Sequence, residues 1–168
     1  MKYQGSYCAL ITPFKDDKLD EKSFIKIIKW HIKQGTRGII PCGTTGESPT
    51  LSHDEHKKVV ELAVETSGGA LQVIAGTGSN STKEAVSLTK HAKQCGADSA
   101  LVVVPYYNKP SQEGLKKHFL RIADTVDIPI FIYNIPGRSV VDMSNDTIEK
   151  LSEHENIIGI KDASNDLS

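Results

Sequence analysis

The stretch "NIIGIKDAS", residues 156–164, places a lysine directly after a short apolar run. A run of this length and composition is typical of a β-strand buried on both faces. Five earlier stretches have the same β-branched, apolar character: "YCALITPF" (7–14), "RGIIPCG" (37–43), "LQVIAGTG" (71–78), "SALVVVPYY" (99–107) and "IPIFIYN" (128–134). The sequence therefore predicts six strands.

Helical patterns separate the predicted strands and carry recognisable end signals. Two helices begin with a serine followed three residues later by a glutamate, the spacing of a capping box: Ser52 with Glu55, and Ser81 with Glu84. A third begins at Ser144, and glycines end two of the helices, at Gly35 and Gly96. Strand and helix alternate with a period of about 30 residues, which is the size of a βαβ repeat. This order predicts an α/β protein with a parallel sheet and right-handed crossovers.

Periodicity alone leaves open whether this sheet closes. An open doubly wound sheet is complete at five or six strands, whereas a (β/α)8 barrel has eight strands and about 250 residues. The length of 168 residues favours the open sheet. In either case the functional site is expected at the carboxyl ends of the strands, where the chain carries "GTTGES", "GTGSNS", "PYYNKP", "YNIPGR" and "KDASND".

Composition excludes several functional classes. The net charge is −1, with 38% hydrophobic and 24% charged residues, and there is no basic block that would indicate a nucleic-acid partner. The amino terminus lacks the apolar core of a secretory signal, and no segment reaches about 18 consecutive apolar residues. Cys8, Cys42 and Cys95 form no CxxC pair. We therefore expect a cytoplasmic protein with reduced, mostly buried cysteines.

Known ligand motifs are absent from the loops. "GTTGES" lacks the Gly-Lys-Ser/Thr of a phosphate-binding loop, "GTGSNS" lacks the third glycine of a dinucleotide fingerprint, and there is no G-x-S-x-G elbow. His53 and His56 lie three residues apart, but no third metal ligand is evident, and polar residues at a solvated helix start explain them equally well. We expect neither a metal nor an organic cofactor.

Lys161 is the strongest candidate for chemistry. An amine buried at the mouth of a parallel sheet is disfavoured as a cation, and a neutral amine forms a Schiff base with a carbonyl substrate. Tyr133 ends the preceding strand and could relay protons to it, while Arg138 could bind a carboxylate. Simpler interpretations stay open: a lysine that reaches solvent or pairs with Asp162, a tyrosine at the sheet rim, and a solvated loop arginine.

Four motifs in order along the chain resemble one enzyme family. "GTTGES", "YYNKP", "YNIPGR" and "GIKDAS" are similar to those of the dihydrodipicolinate synthase family, in the superfamily of pyruvate-dependent Schiff-base aldolases that includes N-acetylneuraminate lyase. The similarity extends from "GSYCALITPF" to the last residue. The resemblance implies a lyase that condenses pyruvate with L-aspartate-4-semialdehyde to give 4-hydroxy-tetrahydrodipicolinate in lysine (diaminopimelate) biosynthesis.

The resemblance also implies roles for individual residues. Lys161 would form the imine with pyruvate, and Tyr133 would donate and accept protons. Thr44 would link Tyr133 to Tyr107, which in this family reaches into the neighbouring subunit of a dimer. Three further residues would bind substrate carboxylates: Gly43 and Thr45 in the "GTTG" loop, and Arg138.

A second set of residues resembles the site at which family members bind the pathway's end product, L-lysine, between subunits. The set consists of Ser48, His53, His56, Asn80, Glu84 and Tyr106. Glu84 could accept the ligand's ammonium group, while His56 and Tyr106 could donate to its carboxylate. The alternative is a polar patch that only packs two subunits. The resemblance further implies allosteric feedback inhibition and a homotetramer built as a dimer of dimers.

Length is the departure from the family pattern. Family members are (β/α)8 barrels with a small helical C-terminal region. Residues 1–168 would therefore form a partial barrel catalytic domain that ends at the sixth strand. The last two strands and the C-terminal helical region would be absent from it. Two alternatives stay open. One is a pyruvate-dependent aldolase acting on a sugar acid, as N-acetylneuraminate lyase does, and the other is a non-catalytic fragment or binding module.

Overall fold

The computed structural model describes residues 3–165, which form two compact units. Among these residues, the first unit comprises 3–76 and Gln94–Asp98, and the second comprises Thr77–Lys93 and 99–165. No helix among the described residues combines the length and the apolar character that crossing a membrane requires. Each unit contains a parallel three-stranded sheet with helices in the connections, as the strand–helix alternation predicts.

The first unit holds five short strands, two α-helices and a 3₁₀ turn. Its elements in chain order are β1 (Tyr7–Ala9), β2 (Phe14–Lys15), β3 (Lys18–Leu19), α1 (Glu21–Lys33), β4 (Gly38–Ile40), the 3₁₀ turn Ser48–Thr50, α2 (His53–Ser67) and β5 (Gln72–Gly76). Strands β1, β4 and β5 pair in parallel, and β2 and β3 form an antiparallel hairpin. The predicted strands at 7–14, 37–43 and 71–78 are confirmed, with shorter bounds.

Local signals account for the helices of this unit. The Ser52 hydroxyl accepts the Glu55 N–H while the Glu55 carboxylate accepts the Ser52 N–H, so the predicted capping box opens α2. Helix α1 begins after Asp20, whose carboxylate accepts the Ser23 N–H at 3.0 Å. Gly35, just past the end of α1, has a φ of 73°, a conformation that favours glycine.

The second unit is built around three longer strands. Its elements are α3 (Thr82–Cys95), β6 (Ser99–Val103), α4 (Gln112–Thr125), β7 (Ile130–Asn134), α5 (Pro136–Ser139), α6 (Asn145–Ser152) and β8 (Ile157–Asp162), and the last two residues of α3 belong to the first unit. Phe119 and Ile122 of α4 pack with Ile130 and Ile132 of β7, and all four are at most 1% exposed. Burial of this apolar face fixes the helices against the sheet.

Helix α3 begins where predicted, directly after Ser81, but its cap differs from the prediction. The Ser81 hydroxyl lies 3.5 Å from the Glu84 nitrogen, but the Glu84 carboxylate accepts a hydrogen bond from the Ser79 hydroxyl instead of the Ser81 N–H. The Ser79 hydroxyl in turn accepts the Ser81 N–H at 3.0 Å. The predicted capping box is therefore only half formed, because a neighbouring hydroxyl takes over one of its two bonds. Gly96, with a φ of 90°, ends the helix as predicted.

Strand β8 corrects the prediction of a strand buried on both faces. Ile158 is 40% exposed and Ile160 is 37% exposed. Within the described residues β8 pairs with β7 alone, so one edge of it is not covered by a neighbouring strand. The pairing also shifts between Ile130 and Phe131, which face Ile157 and Gly159, so Ile158 is left without a partner in the ladder.

His118 of α4 makes the stability of the fold depend on pH. The side chain is 5% exposed, with Nδ1 2.8 Å from the Thr82 hydroxyl and its ring edge-on to Phe119. Burial lowers the pKa of His118 from 6.5 to about 4. As the pH falls through 6.5 the unfolded chain binds a proton that the folded chain does not, so stability is lost between pH 6.5 and about 4.

We predict that this loss amounts to about 3 kcal/mol in the free energy of unfolding. His118→Gln should remove that part of the pH dependence, since glutamine does not titrate. Urea unfolding across this pH range measures the effect, and His53→Gln, at an exposed histidine, is the matched control. An unchanged pH dependence in His118→Gln would contradict the prediction.

Candidate active site

Lys161 and Tyr133 lie side by side at the carboxyl ends of β8 and β7. The two residues are directly paired in the parallel ladder, so their side chains leave the sheet on the same face. The Lys161 Nζ lies 4.1 Å from the centroid of the Tyr133 ring. This geometry is that of a cation–π contact. The predicted proximity of amine and phenol ring is therefore present in the second unit.

The expected burial of Lys161 is wrong. Its side chain is exposed, whereas Tyr133 is only 6% exposed. The lysine lies on the strand edge that the described residues leave uncovered, which removes the desolvation on which the sequence argument relied. What the structure retains is the position of the amine beside an aromatic ring.

Asp162 does not provide the ion pair considered for Lys161. Successive residues of a strand point to opposite faces, and the Asp162 carboxylate instead accepts bonds from the Ser164 hydroxyl at 2.6 Å and from the Asn134 amide at 3.2 Å. The Ser164 bond, supplemented by that of Asn134, lowers the pKa of the Asp162 carboxyl. Asp162 is therefore a carboxylate anchored on the face opposite Lys161.

Arg138 lies in α5, a single helical turn that follows β7 after one residue. The Arg138 N–H donates to the Ile135 carbonyl at 3.0 Å, and the buried Ser139 hydroxyl lies 2.9 Å from the same carbonyl and 2.8 Å from that of Val141. The Arg138 side chain is exposed. Its backbone is thus held in a hydrogen-bonded turn while its guanidinium is accessible to an anion.

Tyr106 and Tyr107 follow β6 in a bent segment. Tyr107 has a φ of 72°, which is uncommon for an aromatic residue, and it is 87% exposed. Tyr106 is half-buried, and its carbonyl accepts the Asn108 N–H at 2.9 Å. The Asn108 amide donates to the Asn80 carbonyl at 3.1 Å. The Tyr107 ring therefore projects into solvent from this bend.

The "GTTGES" loop belongs to the first unit. It folds back on itself through bonds from the Gly46 N–H to the Gly43 carbonyl and from the Glu47 N–H to the Thr44 carbonyl, both 3.1 Å. Gly46 is required by close approach, because a Cβ there would lie 2.9 Å from the Leu10 carbonyl oxygen. Thr44 and Thr45 are exposed at the tip of the loop. Their amides and hydroxyls are therefore accessible to an anionic ligand.

The six residues predicted to bind L-lysine divide between the units. In the first unit, Ser48 begins the 3₁₀ turn, and His53 and His56 lie in the first turn of α2. His53 is exposed, but His56 is only 4% exposed and its Nε2 donates to the Gly76 carbonyl at 2.8 Å. In a neutral ring this leaves Nδ1 as an acceptor. The expectation that His56 donates to a ligand carboxylate stays a prediction, and its Nε2 is already engaged by the Gly76 carbonyl.

The remaining three residues lie in the second unit. Asn80 precedes α3, Glu84 is in its first turn and Tyr106 follows β6; all three are half-buried. Asn80 is joined to the segment after Tyr106 by the Asn108 bond, and the Glu84 carboxylate is held by the Ser79 hydroxyl. These contacts give the second unit a carboxylate, an amide and a phenol on neighbouring segments.

The cysteines carry no sign of catalysis. None of the three forms a disulfide; Cys42 is buried, whereas Cys8 and Cys95 are half-buried. Burial raises the pKa of the Cys42 thiol to about 12, so it stays protonated near neutral pH. Of the three, only Cys42 is fully buried, so the expectation of mostly buried cysteines holds for that residue alone.

Sequence reasoning missed Asn134, the residue between Tyr133 and the "IPGR" turn. It is 3% exposed, and its amide contacts the carboxylates of both Asp142 and Asp162. A polar residue at the end of an apolar strand could have indicated a positioning role, since a buried polar side chain needs hydrogen-bond partners. Its partners were not predictable, because they come from two other segments.

Comparison with known proteins identifies the family. The model of the "Dihydrodipicolinate synthetase family" matches residues 2–168. A 4-hydroxy-tetrahydrodipicolinate synthase of Pelagibacter ubique is 62% identical over 98% of this chain and 56% of its own length.

Two solved structures extend the likeness to the fold. The chloride-inhibited dihydrodipicolinate synthase of Acinetobacter baumannii, complexed with pyruvate, is 53% identical with a TM-score of 0.95, over 98% of this chain and 57% of that one. The enzyme of Cyanidioschyzon merolae with lysine bound is 41% identical with a TM-score of 0.93, over 97% and 57%.

The chain thus spans little more than half the length of these relatives. It shares their α/β fold, and its six β/α units are consistent with part of a (β/α)8 barrel. This agrees with the sequence resemblance and not with the open sheet that the length of the chain favoured. The match over residues 2–168, together with identities above 50%, places this chain in the dihydrodipicolinate synthetase family.

Proposed function

We propose that the protein is a lyase that condenses pyruvate with L-aspartate-4-semialdehyde to give 4-hydroxy-tetrahydrodipicolinate, in lysine biosynthesis. The observation that carries this proposal is the Lys161 amine over the Tyr133 ring at paired strand ends, in a chain of this family. An accessible amine at this position can reach a carbonyl substrate, and the adjacent phenol can exchange protons with it.

The reaction begins with attack of the Lys161 Nζ on the C2 carbonyl of pyruvate. Loss of water gives the protonated imine, and loss of a methyl proton gives the enamine. The enamine carbon then attacks the aldehyde carbon of the second substrate, whose amino group closes the ring on C2 and expels the lysine amine. Tyr133 donates and accepts the protons of imine formation and cyclisation.

Five further residues complete the proposed machinery. The amides of Gly43 and Thr45 in the exposed "GTTG" loop bind the pyruvate carboxylate, and the accessible Arg138 guanidinium binds that of the semialdehyde. Thr44 and Tyr107 extend the proton path from Tyr133. The outward position of the Tyr107 ring, 87% exposed, supports its contribution to a neighbouring subunit.

The proposed assembly is a cytoplasmic homo-oligomer, a dimer of dimers in the complete protein, with residues 1–168 as part of a barrel domain. The proposed regulator is L-lysine, bound by Ser48, His53, His56, Asn80, Glu84 and Tyr106. The half-buried Glu84 carboxylate, held by the Ser79 hydroxyl, supports this ligand because a carboxylate can accept hydrogen bonds from an ammonium group. The lysine-bound relative from Cyanidioschyzon merolae adds support.

We predict that pyruvate with borohydride adds one reduced pyruvate to the chain, at Lys161. Borohydride reduces the imine to a stable secondary amine, which peptide mass mapping locates. Lys161→Arg should abolish the adduct, whereas Lys150→Arg, at an exposed lysine of α6, should not. Lactate has no carbonyl at C2 and serves as the ligand control.

An adduct that maps to another lysine, or that survives Lys161→Arg, would refute the assignment of the nucleophile. The second substrate is then tested by adding L-aspartate-4-semialdehyde before the reductant. Consumption of the enamine by the semialdehyde, with loss of trapped adduct, supports the synthase. Consumption only by an N-acetylated sugar supports the sugar-acid aldolase. An adduct that no aldehyde consumes identifies a chain that binds pyruvate without completing the condensation.

We predict that L-lysine slows formation of the pyruvate adduct without preventing it, because its binding residues are distinct from Lys161. Glu84→Gln should weaken L-lysine binding by about tenfold or more, since it replaces a charge-assisted bond to ammonium by a neutral one. Titration calorimetry measures this, with Glu113→Gln in the first turn of α4 as the matched control. Equal binding by both variants, or no response to L-lysine, would contradict the site.

A further inference from the structure

Asn134 connects three segments that carry proposed functional residues. It is the last residue of β7, directly after Tyr133, and it is 3% exposed. Its side-chain Nδ2 donates to Asp142 at 2.8 Å and to Asp162 at 3.2 Å, and its Oδ1 accepts the Met143 N–H at 3.2 Å. All hydrogen-bonding groups of this side chain are therefore directed to named partners.

The partners fix the orientation of the amide. Carboxylates accept and a backbone N–H donates, so the nitrogen must face Asp142 and Asp162 while the oxygen faces Met143. The Asn134 main-chain carbonyl also accepts the Ala163 N–H at 2.8 Å, directly beyond β8. Side chain and backbone of one residue thus connect the end of β7 to the end of β8.

Each bond acts next to a proposed functional residue. Asp162 follows Lys161, so its bond to Asn134 restrains the strand end that carries the amine. Asp142 and Met143 end the segment that begins after Asn134 and contains Arg138, so the other two bonds close that segment into a loop. Tyr133 is adjacent to Asn134 itself.

We infer that Asn134 is a positioning residue: it holds the β7 and β8 ends and the Arg138 loop in the arrangement that keeps Lys161 against Tyr133. The expected effect of Asn134 on catalysis rests on the proposed function, whereas the contact between Lys161 and Tyr133 can be measured without the reaction. The Asn134 side chain is 3% exposed, so its amide depends on these protein partners for its hydrogen bonds in the folded arrangement.

The test is Asn134→Asp, which keeps the size of the side chain and removes both donated hydrogen bonds. The new carboxylate would face those of Asp142 and Asp162. We expect the rate of pyruvate adduct formation at Lys161 to fall by at least about tenfold, because small displacements of reacting groups have effects of this size. Asn156→Asp is the matched control, since the Asn156 amide bonds to the Ala123 carbonyl at the other end of β8.

A rescue separates positioning from general damage. In Asn134→Asp with Asp162→Asn, the donor and acceptor of the bond between the strand ends are exchanged. The new carboxylate still faces Asp142, so we expect part of the adduct rate to return. A wild-type rate in Asn134→Asp, an equal loss in Asn156→Asp, or no recovery in the double variant would overturn the inference. If circular dichroism shows that Asn134→Asp does not fold, Asp162→Ala, which changes an exposed residue, replaces it with the same expectation and the same control.

A second readout does not depend on the reaction. The Tyr133 ring should shift the NMR signal of the Lys161 Hε protons upfield, and Lys161→Arg assigns that signal. We expect the shift to disappear in Asn134→Asp and to persist in Asn156→Asp; a shift that persists in both overturns the inference. A wild-type chain that shows the shift but forms no pyruvate adduct would refute the proposed function alone, and the variants' shifts would still decide the role of Asn134.

Discussion

The parallel pairing of β7 with β8 is the constraint on which the candidate site depends. Its register places Tyr133 opposite Lys161, so an amine and a phenol ring that are 28 positions apart in sequence come within contact on one face. A shift of one residue would send one of the two side chains to the other face of the sheet. The irregularity at Ile158 lies earlier in β8, and the ladder is regular from Gly159 to Asp162. The chemistry of the site is thus a consequence of strand register.

The opposite face of the same strand ends is polar and interconnected. Asn134 and Asp162 are also paired in the ladder, and their side chains meet there with Asp142. One face therefore bears the reactive groups and the other bears hydrogen bonds that hold the ends together. A buried amide serves this purpose well, because it donates twice and accepts once without introducing a charge into the interior.

Family membership does not by itself establish the activity of this chain. The family follows from identity over nearly the whole chain, whereas this chain spans little more than half of its relatives. Lys161, Ile158 and Ile160 are exposed on β8, which has one paired edge among the described residues. In a longer polypeptide a further strand could cover that edge and lower the polarity around the amine.

The sequence by itself determined the α/β class, six parallel strands, most helix ends and the motifs of the family, because these depend on local patterns of apolar residues, serine caps and glycines. It also indicated Lys161 and Tyr133, since both end predicted strands. Only the tertiary structure decided the exposure of Lys161, the half-formed cap at Ser81 and the partners of His56 and Asn134. Each of these depends on which distant groups a side chain meets, and such contacts leave no periodic signal in the sequence.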